Sequence, residues 1–286
     1  MLSAVDQPRH AWIVGATSLL GWSIARQAVA GWTLLPSCSR HSRSPRTRDW
    51  IRLDVEDPRD WDRLRREPPD VIVYCAGVCH VQRCEDDPTF ARRINVAGVA
   101  AMLDALGDRT RLVYCSSDHV FGAGADEPFF EASPRCPISV YGRTRVEAED
   151  LVRDRRPDAL VVRVGLPIGP SLSGTTGHLD WLRHRHRAGL PMTVIDGEWR
   201  TAVPADLAAR RILDLAASDV RGVRHLAAPE PIGRPALAAR LCARLEISAP
   251  AYDVVPRRAL SVPHLGRVAL ATQYADALAR PLPVAA

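Results

Sequence analysis

The segment "AWIVGATSLLGWSIARQ" (residues 11–27) passes from a short apolar strand through a turn with glycines into a helical pattern. Gly15 and Gly21 frame that turn, and Ser18 stands midway between them. A glycine-rich turn between a strand and a helix lets backbone N–H groups meet a pyrophosphate. Glycines at such a turn can equally serve close packing of helix on strand. Taken alone, the turn leaves dinucleotide binding and packing as equal alternatives.

The pattern of this segment recurs along the first half of the chain. The six apolar runs are "AWIVG" (11–15), "TLLPSC" (33–38), "DWIRLDV" (49–55), "VIVYCAG" (71–77), "RLVYCSS" (111–117) and "ALVVRVG" (159–165). Helical patterns lie between them, through about residue 30, after residue 55, over 88–106 and over 140–154. Parallel strands need crossover helices, and strands buried on both faces are apolar throughout. The sequence therefore predicts an α/β fold, a Rossmann-type doubly wound parallel sheet.

The sequence changes character after residue 165. The stretch "GLPIGPSLSGTTGHLDWLRHRHRAGLP" is rich in Gly, Pro and His, and short helical patterns follow at 204–217 and 233–245. We expect a dinucleotide-binding Rossmann domain over 1–165 and a smaller C-terminal substrate-binding lobe over 166–286, from which part of the chain returns to the Rossmann domain.

Composition excludes several functions. The chain has 286 residues, and all 38 basic residues are arginine, so Schiff-base lysines and phosphate-loop lysines are ruled out. The net charge of +5 forms no basic block, which argues against nucleic-acid binding but suits an anionic substrate. The N-terminal stretch 1–10 is polar, and no apolar run approaches membrane-spanning length. We expect a cytoplasmic protein that does not enter a membrane.

Seven cysteines, an odd number, lie mostly in apolar segments and are expected to be buried free thiols. Cys79, His80 and Cys84 suggest a metal site at first sight. Zinc sites usually combine two close pairs of ligands, and no second pair follows here. No metal is predicted.

The loop after the second strand, "SCSRHSRS", favours NADP(H) over NAD(H). It has no carboxylate for a ribose 2′-hydroxyl and instead carries Arg40 and Arg43, whose planar guanidinium groups suit a 2′-phosphate. A solvated basic loop is the alternative. Asp54 and Val55 end the third strand where an adenine edge would lie, and the small residues 75–77 (Cys75, Ala76, Gly77) end the fourth strand beside the cofactor.

Two candidate catalytic groups meet at the carboxyl edge of the predicted sheet. Ser117 ends the fifth strand and Tyr141 opens the next helix, so a hydroxyl donor and a phenol could act on one carbonyl. Arg145 follows Tyr141 by one helical turn, and a phenol ionises more readily beside a cation. The alternative is that Tyr141 packs at a helix start, Ser117 caps a turn, and Arg145 is a surface charge paired with Glu149.

Over nearly its whole length the chain resembles the extended short-chain dehydrogenase/reductases, in particular the dTDP-4-dehydrorhamnose reductase branch. The most specific stretch is "SSDHVFGAGADEPFFEASPRCPISVYGRTRVEAED" (116–150), and "NVAGVAAMLDAL" (95–106) and "WRTAVPADLAARRIL" (199–213) are also similar. The chain departs from the family pattern at two positions. Ser18 replaces the middle glycine of the phosphate turn, and Arg145 replaces the lysine four residues after the tyrosine.

The resemblance implies a role for each matching residue. Ser117 matches the catalytic Ser/Thr, Tyr141 the proton donor, and Arg145 the residue that holds the nicotinamide ribose. The expected cofactor contacts are Gly15, Thr17, Ser18, Leu19, Leu20, Gly21, Arg40, Arg43, Asp54, Val55, Cys75, Ala76, Gly77, Asn95, Tyr141 and Arg145. The expected substrate contacts are Ser117, Asp118, His119, His178, Trp181 and Arg200.

The function implied is NADP-dependent reduction of a nucleotide-linked 4-keto sugar, with Tyr141 as the proton donor. Two alternatives stay open. One is an epimerase or dehydratase of sugar nucleotides on the same scaffold, and the other is a non-catalytic subunit like the regulatory β-subunit of methionine adenosyltransferase. The expected partner is a small molecule, and a homodimer is compatible with the sequence.

Overall fold

The computed structural model describes residues 8–122, 127–247 and 252–285. Residues 1–7 of the polar N-terminal stretch and residues 123–126 of the long motif lie outside these ranges.

Strands and helices alternate through the first part of the chain. In order they are β1 (Arg9–Val14), α1 (Leu19–Ala25), β2 (Trp32–Cys38), β3 (Ile51–Arg52), α2 (Asp62–Arg66), β4 (Val71–Tyr74), α3 (Val81–Asp86), α4 (Pro88–Arg92), α5 (Gly98–Ala105), β5 (Arg111–Ser117), α6 (Val140–Arg155) and β6 (Leu160–Val164). A π-helical stretch, Arg93–Ala97, joins α4 to α5. The remaining elements are β7 (Leu166–Ile168), α7 (Gly177–Arg187), β8 (Met192–Asp196), β9 (Trp199–Arg200), β10 (Ala202–Pro204), α8 (Ala205–Ala217), β11 (Gly222–Leu226), β12 (Ile232–Gly233), α9 (Arg234–Arg244), β13 (Tyr252–Pro256) and β14 (Arg267–Val268).

A seven-stranded parallel sheet with the order β11-β6-β5-β4-β1-β2-β3 forms the centre of the molecule. The order reverses between β1 and β4, as in doubly wound folds, so the predicted fold class is confirmed. β4 and β6 are buried at every position, which explains their unbroken apolar sequences. One apolar layer packs the sheet against α1 and α8, and a second packs it against α2, α5 and α6.

Some boundaries differ from the predictions. The first helix ends at Ala25 rather than near residue 30, and the third strand shrinks from 49–55 to two residues. The seventh strand, β11, was not predicted, because its sequence "GVRHL" is half-buried and mixes polar with apolar residues. The helices predicted at 204–217 and 233–245 are confirmed within one residue at each end.

The chain leaves the sheet after β6 and later returns to it. α8 packs on α1, where Arg26 pairs with Asp206 at 2.6 Å, and β11 joins β6 at the edge of the sheet. A separate apolar cluster holds α7, α9 and β8 together as a smaller lobe. Among the described residues, no helix is both long and apolar enough to cross a bilayer.

Candidate active site

The turn between β1 and α1 presents backbone rather than large side chains at the carboxyl edge of the sheet. Gly15 has a φ of +77°, and a side chain there would collide with the backbone of Ala76 at the end of β4. The Ser18 hydroxyl accepts a hydrogen bond from the Gly21 N–H at 3.1 Å and caps α1. Both glycines are therefore required for close packing, because a side chain at Gly21 would collide with the Gly15 carbonyl.

The predicted 2′-phosphate contacts differ in their surroundings. Arg40 is paired with Asp57 at 3.0 Å and also contacts Asp60. Arg43 is exposed and, in the part of the chain that the structure describes, forms no ion pair. Asp54 and Val55 are half-buried beside this loop, and the Asp54 N–H donates to Asp60 at 2.7 Å. The loop therefore offers one cation already matched by carboxylates and one that is not.

Asn95 organises the loop that follows β4. Its side chain accepts from the Val78 N–H at 2.8 Å, and it donates to the Val78 carbonyl at 3.1 Å and to the Thr144 hydroxyl at 2.9 Å. Asn95 is completely buried in the π-helical stretch, a departure from α-helix that is frequent at functional sites. The asparagine thus ties the loop beside Gly77 to α6 by three hydrogen bonds.

Tyr141 and Arg145 lie on the buried face of the first turns of α6, and each has about 5% of its surface exposed. The Arg145 Nε donates to the Tyr141 hydroxyl at 3.2 Å, and Nη1 donates to the Tyr114 hydroxyl of β5 at 3.0 Å. A side chain at Gly77 would collide with Arg145 Nη2. Burial alone would lower the pKa of Arg145, but the hydroxyls of Tyr114 and Tyr141 hold that pKa well above its ordinary value. Arg145 is a permanent cation beside the Tyr141 phenol.

The interpretation of Arg145 as a surface charge paired with Glu149 is wrong. Glu149 is completely buried and binds Arg163 of β6, with its carboxylate 2.7 Å from Nη2 and 2.9 Å from Nε. The Ser116 hydroxyl donates to the same carboxylate at 2.5 Å. Because the Glu149 carboxylate is bound to Arg163 and Ser116 of the sheet, the hydrogen-bond partners of Arg145 are Tyr114 and Tyr141.

Ser117 and His119 face the same edge. The Ser117 hydroxyl accepts from the His119 N–H at 3.3 Å, so this serine does cap the short turn after β5. The His119 ring lies edge-on to Tyr141, with 5.1 Å between ring centroids. Burial, with Arg200 nearby, lowers the pKa of His119 to about 4. His119 is therefore neutral near pH 7 and lies directly against the phenol.

Asp118 and Arg200 bind each other rather than facing open space. Asp118 is completely buried, and the Arg200 Nε donates to its carboxylate at 2.5 Å, with a second contact from Nη2. Glu198 pairs with Arg200 Nη1 at 3.1 Å. These residues join the end of β5 to β9, so the structure places the predicted substrate contacts Asp118 and Arg200 in a buried ion-pair network.

His178 and Trp181 line a cavity of about 400 Å³ in the small lobe. Apolar side chains from α7, α9 and β8 form most of its wall, and Arg234 is the arginine that faces it among the described residues. Arg234 contacts the His178 ring, with Nη1 2.8 Å from Nε2. Burial, followed by the nearby Arg234, lowers the pKa of His178 well below its ordinary value, so the ring is neutral.

Sequence reasoning missed Arg234, Tyr114 and Glu198. No feature of the neighbouring sequence distinguishes Arg234 from the other arginines. The sequence places Tyr114 within an apolar strand and gives no sign of a polar partner. The seven cysteines are free, with five buried and Cys79 and Cys136 exposed. Across the described ranges, no group of three or more His, Cys, Asp and Glu residues could hold a metal ion.

The chain is similar to several known proteins. A family model described as "RmlD substrate binding domain" matches residues 9–267. The "Probable low-salt glycan biosynthesis reductase Agl14" of Haloferax volcanii is 27% identical over 245 residues, covering 82% of this chain and 79% of that protein. A "dTDP-4-dehydrorhamnose reductase" of Mycolicibacterium smegmatis is 33% identical over 53% of this chain and 43% of its own length.

A solved structure shares the complete fold. It is the dTDP-4-dehydrorhamnose reductase from Bacillus anthracis in complex with NADP, with a TM-score of 0.81 and 16% sequence identity. The superposition covers 97% of this chain and 95% of that one. The likeness therefore includes the small lobe as well as the parallel sheet.

Proposed function

The chain belongs to the RmlD substrate binding domain family, and from this premise we propose that it is an NADPH-dependent reductase of a nucleotide-linked 4-keto sugar. The observation that carries the proposal is the buried Tyr141–Arg145 pair at the carboxyl edge of the sheet, where open α/β proteins bind ligands. A phenol held against a permanent cation is suited to proton transfer at a carbonyl oxygen.

The residues at this edge fit a dinucleotide. Residues 15–18 of the turn carry only small side chains, and Arg145 Nη2 has no hydrogen-bond partner among the described residues. In the proposed complex the turn holds the pyrophosphate, Arg145 holds the nicotinamide ribose, and Arg43 with Arg40 meets the 2′-phosphate. When bound, NADPH supplies the hydride that adds to the carbonyl carbon.

The chain's own groups complete the reduction. The Tyr141 hydroxyl gives its proton to the carbonyl oxygen of the substrate, and the neighbouring Arg145 charge stabilises the phenolate that this leaves. The Ser117 hydroxyl, which donates to the Asp118 carboxylate at 3.1 Å in the structure, turns its single proton to the same oxygen as negative charge develops there. His119, neutral and edge-on to Tyr141, helps to fix the phenol ring. Together these residues supply the proton and stabilise the oxygen that receives it.

The cavity of the small lobe suits the nucleotide part of the substrate. Its volume of about 400 Å³ lies in the range of small-molecule sites, and its wall is largely apolar. In our proposal the Arg234 guanidinium binds the diphosphate and the Trp181 ring packs against the base. The neutral His178 beside Arg234 leaves the positive charge of that guanidinium uncompensated by the ring.

The function is tested by mixing the purified protein with NADPH and a panel of dTDP-, UDP- and GDP-linked 4-keto sugars and following absorbance at the nicotinamide band. We expect NADPH oxidation with at least one of them. Tyr141→Phe removes one hydroxyl and should abolish turnover while NADPH binding stays within about twofold of the wild type. A Tyr141→Phe enzyme with the wild-type rate would exclude Tyr141 as the proton donor.

Two other outcomes would overturn the proposal. Conversion of a sugar nucleotide without net oxidation of NADPH would identify an epimerase or dehydratase. Tight NADPH binding without conversion of any sugar nucleotide would identify a non-catalytic, nucleotide-binding protein.

A further inference from the structure

Each of the three nitrogens of the Arg145 guanidinium faces a different part of the site. Nε binds the Tyr141 hydroxyl, Nη1 binds the Tyr114 hydroxyl, and Nη2 lies against Gly77 at the open edge of the sheet. The planar group cannot rotate about its long axis without breaking one of the two hydrogen bonds. The position of Nη2 is therefore fixed by two phenols on different elements, α6 and β5.

No carboxylate takes part in this arrangement within the described ranges. The polar partners of Arg145 are the hydroxyls of Tyr114 and Tyr141, and the nearest acid on the same face of α6, Glu149, is bound to Arg163. Neutral phenols orient a cation without neutralising it. An acidic partner in place of Tyr114 would hold Arg145 equally well but would cancel the charge that Tyr141 needs.

Tyr114 is suited to this task by its position. It lies on β5, three residues before Ser117, and its side chain is completely buried under α6. Burial raises the pKa of the Tyr114 hydroxyl even though the Arg145 cation opposes the shift, so Tyr114 stays a neutral acceptor. Its ring contacts Tyr74 of β4, with 5.9 Å between centroids, which leaves the hydroxyl little freedom to move.

We propose that Tyr114 is a positioning residue for the reductase: it holds Arg145 so that Nε reaches the Tyr141 phenol while Nη2 stays available to the cofactor ribose. This inference rests on the proposed function, because only the proposed reaction requires Arg145 to bind the cofactor ribose and to stabilise the Tyr141 phenolate. It assigns Tyr114 no contact with substrate or cofactor.

The neighbouring Tyr74 provides a matched control. Tyr74 pairs directly with Tyr114 in the register of the sheet and is also completely buried. Its hydroxyl has no hydrogen-bond partner among the described residues. Tyr74→Phe and Tyr114→Phe therefore each delete one buried hydroxyl from adjacent positions of the sheet, but only Tyr114→Phe removes a hydrogen bond to Arg145.

The test combines these two variants with Arg145→Met. We measure NADPH dissociation constants by fluorescence, the thermal midpoint, and kcat and KM for the sugar nucleotide. Tyr114→Phe should weaken NADPH binding and lower kcat by about tenfold each, the scale of a lost hydrogen bond to a charged group. KM for the sugar nucleotide should not change, because Arg234 and its cavity lie in the small lobe. Tyr74→Phe should match the wild type in NADPH affinity, kcat and KM, and its thermal midpoint should not fall, because the deleted hydroxyl is buried without a partner among the described residues.

A double-mutant cycle shows whether Tyr114→Phe weakens NADPH binding through Arg145. In the Arg145→Met background, Tyr114→Phe should change NADPH affinity by less than twofold, since no guanidinium remains to be held. Additive effects, or equal behaviour of Tyr114→Phe and Tyr74→Phe, would overturn the assignment. The NADPH measurements need no turnover. A protein that reduces no sugar nucleotide therefore refutes the proposed function, while the binding cycle still decides whether Tyr114 positions Arg145.

Discussion

At the scale of single residues, Arg145 stands out as a buried cation that no described carboxylate neutralises. Removing a charge from water costs several kcal/mol unless partners compensate for the loss. Two phenols provide part of that compensation, and Nη2 lacks a partner in the described residues. An arrangement that costs stability at the edge of a parallel sheet is typical of a functional site. Arginine therefore keeps the charge expected of the residue after Tyr141, in a different geometry.

The first residue-scale prediction concerns cofactor choice. Arg43→Ala should reduce the ratio of NADPH to NADH affinity by about tenfold or more, because a hydrogen-bonded charge pair contributes about 1.5–3 kcal/mol. Arg40→Ala should have a smaller effect, since Asp57 and Asp60 already neutralise that guanidinium. Fluorescence titration of both variants with both nucleotides measures the ratio. Unchanged ratios in both would show that this loop is only a solvated basic surface.

At the scale of secondary structure, one face of α6 bears both the candidate catalytic residues and the residue that fixes the helix to the sheet. Tyr141, Arg145 and Glu149 follow each other at intervals of four residues, so all three lie on the face that packs on the sheet. Glu149 binds Arg163 of β6 and Ser116 of β5. The helix is thereby fixed to the two strands that flank the site, which places Tyr141 relative to Ser117.

The element-scale prediction compares two substitutions on this helix. Glu149→Gln should lower the free energy of unfolding by about 3 kcal/mol, because it leaves the buried Arg163 without its counter-charge. Glu147→Gln is the control, since Glu147 pairs with Arg92 at the surface and such pairs contribute less than about 1 kcal/mol. Urea unfolding at neutral pH measures both. Equal losses would mean that Glu149 is no more important to the packing of α6 than a surface acid.

At the scale of the whole molecule, buried polar groups join segments that are far apart in the sequence. Arg200 on β9 reaches Asp118 after β5, and His225 on β11 lies among Arg163 and the loop that carries Glu131. The Glu131 carboxylate accepts from the His225 N–H at 3.1 Å and from the Thr272 hydroxyl at 2.7 Å. Segments far apart in sequence are therefore held together through charged and hydrogen-bonded groups as well as apolar packing.

The whole-molecule prediction is a loss of stability in mild acid. Burial lowers the pKa of both His119 and His225 to about 4, whereas an unfolded histidine has a pKa of about 6.5. Between these values the unfolded chain binds more protons than the folded one, so the stability present above pH 6.5 is lost as pH falls toward 4. We expect a loss of a few kcal/mol across this window.

Urea unfolding at pH 7, 5.5 and 4.5 measures this loss. His225→Gln should weaken the dependence on pH without removing it, because His119 and His178 still titrate. His186→Gln on the exposed face of α7 should leave the dependence unchanged. A wild-type protein equally stable at pH 7 and 4.5 would contradict the prediction.

The sequence by itself determined the parallel sheet and the chain positions of the groups at its carboxyl edge. Apolar runs such as those of β4 and β6 are local signals of strands buried on both faces, and a turn with Gly15 between strand and helix is a local signal as well. The spacing of Tyr141 and Arg145 follows from helix geometry alone. None of these inferences needs knowledge of which distant segments meet.

Only the tertiary structure decided the partners of the charged side chains. It bound Arg145 to Tyr114, paired Arg40 with acids from a later loop, joined Asp118 to Arg200, and brought Arg234 to the cavity. It also recruited β11, whose mixed sequence carries no local strand signal. In a chain whose basic residues are all arginine, every candidate cation has the same local chemistry. Its role is set by the groups that folding places within hydrogen-bond distance, and these lie tens of residues away in sequence.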